Sequence, residues 1–98
     1  MDLEKRYDLS ILVNDSERMV LDELGKRLDN AAAEGICECQ DCVIDMAALA
    51  LNSLRPLYHA SLMGTFYAQA KAEGDYAEAV RKAVDDAIRR VKANPSHA

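Results

Sequence analysis

The stretch VIDMAALALNSL, residues 43–54, consists almost wholly of strong helix formers and carries a single ionisable side chain, Asp45. Ala, Leu and Met lose little freedom in a helix, and a helix with so little charge has to bury most of its surface. Such a helix needs neighbours. Its end is set by Pro56, which disfavours helical geometry at Arg55, so the chain is expected to turn through RPLYHAS, residues 55–61.

The neighbours are legible on both sides. Upstream, Val20, Leu21, Leu24 and Leu28 recur at spacings of three and four, with Glu17, Arg18, Asp22, Glu23, Lys26 and Arg27 on the remaining face. Asn14 and Asp15 offer side-chain oxygens to the first amides of that helix, and Asn30 to Gly35 reads as a loose end. Downstream, a helix is expected over residues 60–73 with Leu62, Met63, Phe66, Tyr67 and Ala70 as its apolar positions. Another begins with Asp75 as cap and carries Tyr76, Val80, Ala83, Val84, Ala87, Ile88 and Val91 at helical spacing as far as Asn94 and Pro95. No alternating run of β-branched residues flanked by hairpin turns is present. The expected fold is therefore all-α: one small domain of four to five helices over residues 1–98, with 1–13 as an N-terminal arm and 94–98 as a frayed tail.

Composition narrows the function. Ninety-eight residues suffice for one domain with a modest core, one that a bound metal or a second subunit would stabilise. A net charge of −5 repels nucleic-acid phosphates, so polymeric nucleic acid is a poor partner. The absence of a long apolar run argues against a membrane span, and the acidic start MDLEKRYDLS does not read as a secretory signal, which gives a cytoplasmic expectation.

All three cysteines, Cys37, Cys39 and Cys42, fall in the hexapeptide CECQDC. An odd, tightly spaced set of thiols in a reducing compartment suits a Zn²⁺ site better than a disulfide framework; the plainer alternative is three small buried side chains at a helix start. Tetrahedral zinc requires a fourth donor, for which Asp45, His59 and water are the candidates. No HExxH motif is present, and Gly25, Gly35, Gly64 and Gly74 are too isolated for a phosphate loop, so neither metalloenzyme nor nucleotide-hydrolysing chemistry is indicated. Around Pro56 the segment NSLRPLYHAS, residues 52–61, collects groups suited to an anionic aromatic ligand. Arg55 can pair with phosphate, Tyr58 can stack on a base and Asn52 can read a polar edge; the plainer alternative is a packed turn between helices.

The pattern CxCxxCxxD followed by ALALNxLxPxYxxSxxG, as Cys37 to Gly64 stand here, resembles the late competence development protein ComFB family, and VNDSERMVLDEL, residues 13–24, is similar to the family's start. The resemblance implies a small, mostly helical, homodimeric bacterial protein without enzyme activity. It implies zinc held by Cys37, Cys39 and Cys42, and a cyclic dinucleotide ligand such as cyclic di-GMP or cyclic di-AMP. Carried over by motif, Asn52, Arg55, Tyr58, Ser61 and Gly64 are the ligand contacts. The competing reading is a zinc-stabilised helical module that recruits a protein partner and takes no small molecule.

Overall fold

The uncharged segment forms the central helix of a computed structural model that describes residues 1–60 and 74–96. In chain order the described elements are α1 (Leu3–Arg6), β1 (Val13–Asn14), α2 (Asp15–Leu28), α3 (Ala31–Glu34), α4 (Gln40–Asn52), β2 (Tyr58–His59) and α5 (Asp75–Ala93). The chain is mostly helical, with one amendment to the all-α expectation. β1 and β2 pair antiparallel, Val13 opposite His59 and Asn14 opposite Tyr58. The helix expected over 60–73 lies, apart from Ala60, outside the described residues.

α2, α4 and α5 pack against one another in all three pairings, α4 against α5 most extensively. The core is made by Val20 and Leu24 of α2, by Cys42, Met46, Ala47 and Ala50 of α4, and by Val80, Ala83, Val84, Ala87, Ile88 and Val91 of α5. The many alanines let the helix backbones approach closely. Every fully buried position of α5 belongs to the stripe read from its periodicity. In α2 the stripe is narrower than expected: Val20 and Leu24 are buried and Leu28 partly so, whereas Leu21 is 48% exposed. One residue is a rotation of about 100° around a helix, which carries Leu21 off the buried face. α4 buries one face, not most sides, since Ile44 is 57% exposed.

The helix ends follow from local chemistry. Asn14 caps α2: its Oδ1 accepts the Ser16 N–H at 3.3 Å and the Ser16 hydroxyl at 2.7 Å. α4 starts three residues before Val43 because Cys39 caps it, its Sγ accepting the Cys42 N–H at 3.4 Å. It ends at Asn52, with the Ser53 hydroxyl donating to the Ala50 carbonyl at 2.9 Å. The segment read as a loose end is a further turn of helix, α3, closed by Gly35 at φ 68°. There the Ile36 N–H reaches the Ala31 carbonyl and the Gly35 N–H the Ala32 carbonyl, the paired pattern that ends a helix in a left-handed residue. At α5 the N-cap is Gly74, at φ 64° and ψ −124°, and Asp75 is the first helical residue, not the cap.

Two sets of bonds fix the helices to each other. Arg27 donates to Glu34 at 2.8 Å and to Asp85 at 3.0 Å, tying α2 to α3 and α5, and Lys92 of α5 donates to the Glu34 carbonyl at 2.6 Å. At the other end of the bundle the Asp15 N–H donates to the Leu57 carbonyl at 2.9 Å, and the Leu57 N–H to Asn14 Oδ1 at 2.8 Å. α2 therefore begins where α4 has just ended.

Candidate functional site

The cysteine cluster straddles the start of α4. Cys37 and Cys39 are half-buried and Cys42 is fully buried. Their sulfur atoms lie within 4.8 Å of one another, and among the described residues no carboxylate or imidazole joins them. Three thiolates at about 2.3 Å from a tetrahedral zinc stand about 3.8 Å apart. The set fits such an ion after a small closure. Burial pushes the Cys42 thiol up from its ordinary range, and the neighbouring Cys39 and Cys37 add to that, while the Ser96 backbone N–H, bonded to the sulfur, opposes it. Deprotonating the cluster in this dry setting calls for a cation, which is what a metal supplies.

The expected fourth donors fare unequally. Asp45 lies on α4 one turn beyond Cys42, but its Oδ2 accepts the Ser96 hydroxyl at 2.7 Å. His59 is at the opposite end of the bundle, in β2 beside Asp15, whose carboxylate it helps keep ionised. The 13 residues of α4, about 20 Å of helix, separate that end from the cysteines, so His59 is no ligand to them. Ser96, in the tail expected to fray, touches both Cys42 and Asp45.

Residues 13–95 match the late competence development protein ComFB family. The chain belongs to the ComFB family. It is also similar to a solved structure described as the late competence protein ComFB from Bacillus subtilis, with 27% identity over 87% of this chain and 94% of that one and a TM-score of 0.66. Among curated proteins none matches. ComFB membership marks a competence-related regulatory protein, and no helix among the described residues is long and apolar enough to cross a membrane.

The second group of residues expected from the sequence stands at the far end of α4. Asn52 closes the helix and is exposed, Arg55 is exposed, and Tyr58 is 63% exposed. Ser61 and Gly64 lie outside the described residues. The backbone of this corner is held from two sides: Leu57 is bonded to Asn14 and Asp15, and the Tyr76 hydroxyl of α5 donates to the Arg55 carbonyl at 2.6 Å. Tyr58 opens onto a groove of about 560 Å³ lined also by Leu12, Val13, Glu17, Arg18 and Leu21. Asn52 and Arg55 are not part of that lining. The groove is invisible to motif reading because Tyr58 meets β1 and α2 across about forty residues of sequence; the exposed apolar run Leu9, Ile11, Leu12 and Val13 is the available signal.

Proposed function

We propose that this ComFB-family chain is a non-enzymatic regulatory protein that takes a cyclic dinucleotide, cyclic di-GMP or cyclic di-AMP, at the corner of Asn52, Arg55 and Tyr58, on helices fastened by a zinc ion at Cys37, Cys39 and Cys42. The observation that carries the reading is Tyr58, an aromatic ring left 63% exposed on a backbone pinned at Leu57 and Arg55. A ring so held is a stacking surface whose ordering precedes binding. Arg55, three residues away, brings a guanidinium for phosphate, and two copies of the corner in a homodimer would match the two phosphates of such a ligand.

Isothermal titration of the full chain with cyclic di-GMP and cyclic di-AMP tests this. Binding to one of them is expected, weakened about 10- to 100-fold in Arg55→Ala and in Tyr58→Ala, since a charge-assisted bond or a stacked base is worth about 1.5–3 kcal/mol. No heat from either nucleotide at micromolar protein rejects the reading. Elemental analysis checks the metal: near-stoichiometric zinc is expected, and is lost in Cys39→Ser.

A second reading has its own observation. The Tyr58 groove combines exposed Leu12, Val13 and Leu21 with Glu17 and an Asp22 paired to Arg18, a largely apolar surface with a slight acidic excess that suits an apolar protein segment better than a dianion. A partner captured by the chain, released by Leu21→Glu and indifferent to nucleotides, would establish that module instead.

A further inference from the structure

Three thiolates on Zn²⁺ leave a net negative charge, here in a setting where Cys42 is fully buried and Cys37 and Cys39 are half-buried. Amide N–H groups aimed at the sulfurs spread such charge and fix the direction in which each sulfur points. One comes from α4 itself: the Cys42 N–H donates to Cys39 Sγ at 3.4 Å. Another comes from the far end of the chain, where the Ser96 backbone N–H is bonded to the Cys42 sulfur.

That second donor needs an anchor. α5 ends at Ala93, the chain leaves the helix at Asn94 with φ −146° and ψ 78°, and residues 94–96 run back to the start of α4. There the Ser96 hydroxyl donates to Asp45 Oδ2 at 2.7 Å, across 51 positions of sequence. Cys42 and Asp45 stand three residues apart on α4, hence on one face, so the carboxylate holds Ser96 where its amide meets the sulfur. Among the described residues no carboxylate joins the three sulfurs themselves, which leaves Asp45 a role beside the cluster and not within it.

We propose that Asp45 and Ser96 are positioning residues of the metal centre: Asp45 seats the segment that follows α5 so that the Ser96 amide is held on the Cys42 sulfur, and metal affinity depends on that seating. Neither side chain touches the metal. The dependence runs both ways by linkage, so a bound metal fastens residues 94–96, and with them the end of α5, to the first turn of α4.

The inference rests on a metal being held at the cysteines, and the experiment keeps the two apart. Zinc affinity of the full chain is measured by competition with a chromogenic chelator, beside urea unfolding of the same chains freed of metal. Asp45→Ala and Ser96→Ala should each bind zinc about 10-fold more weakly, the low end of the range for an outer partner because Ser96 is exposed. Asp45→Asn keeps an acceptor and Ser96→Thr keeps a hydroxyl, so both should bind nearly as tightly as the natural chain. The metal-free chains should share one urea midpoint, whereas a contact that only packs the tail would shift that midpoint and leave zinc affinity alone. Ser96→Pro removes the amide proton itself. Its cobalt-substituted form should show the thiolate-to-metal charge-transfer band at lower energy than the natural chain, because a sulfur without its amide gives up an electron more readily. A natural chain that binds neither zinc nor cobalt through sulfur overturns the metal reading and this inference together. Unchanged affinity in Asp45→Ala and Ser96→Ala, a charge-transfer band unmoved in Ser96→Pro, or a loss in Asp45→Asn as deep as in Asp45→Ala, which would make the carboxylate a direct donor, overturns this inference alone.

Discussion

The side-chain oxygen of Asn14 that caps α2 also accepts the Leu57 backbone N–H at 2.8 Å, so a single atom both starts one helix and anchors the turn that follows another. Asn14→Ala should lower stability by about 2–3 kcal/mol, the sum of a lost cap and a partly buried amide left without its acceptor. Asn14→Asp, which keeps the acceptor, should retain most of it. Urea unfolding of the three chains decides the matter through the shift in midpoint at constant slope.

Arg27 bridges Glu34 and Asp85 with its planar fork, from a side chain 26% exposed. Arg27→Lys keeps the charge but cannot serve both carboxylates in the same geometry, so it should lose about 1 kcal/mol, and Arg27→Ala about 1–2 kcal/mol. A lysine variant as stable as the natural chain would show that charge alone matters there. Thermal denaturation monitored by circular dichroism is sufficient.

Asp15 titrates below the usual carboxylate range, chiefly because Arg18 bonds both its oxygens at 3.0 Å. A carboxylate whose folded pKa is depressed gives stability that is present above its unfolded value of about 4 and is lost as pH falls through the lower, folded value. Arg18 is half exposed, so the contribution is of order 1 kcal/mol or less and shrinks in salt. Asp15→Asn should therefore flatten the acid limb of a stability profile measured between about pH 5 and pH 2, with little change in shape near neutrality.

Gly35 sits at φ 68° with open space where a Cβ would stand. Gly35→Ala should cost about 1 kcal/mol from backbone strain alone, Gly35→Asn less and Gly35→Val more. An order following side-chain size and not left-handed tolerance would point to crowding instead. Since Gly35 precedes Cys37 by two residues, the same series measured with zinc present reports whether the turn also sets the cysteines.

What could be read in the sequence was what local chemistry decides. The Asn14 cap, the α5 stripe and the stop before Pro56 each depend on residues within a few positions of one another, and all three appear as expected. α4 starts three residues ahead of the expected Val43 because Cys39 caps it, and a thiol is an uncommon cap. The pairing of Val13 with His59 and the groove beside Tyr58 were hidden because they join segments distant in sequence, with two-residue strands that leave no alternation to detect. Within the site, the cysteines were plain from their spacing, but the role of His59 was not. Only the antiparallel course of α2 and α4 shows that His59 belongs to the other end of the bundle.

Cys39 does two jobs with one sulfur, accepting the amide that begins α4 and standing among the thiols that can hold a metal. The chemical vulnerability of the protein is concentrated there. An electrophile or oxidant that claims this atom would take a donor from any metal held there and an N-cap from the central helix in a single event, so chemical damage at one residue would be felt at the start of α4.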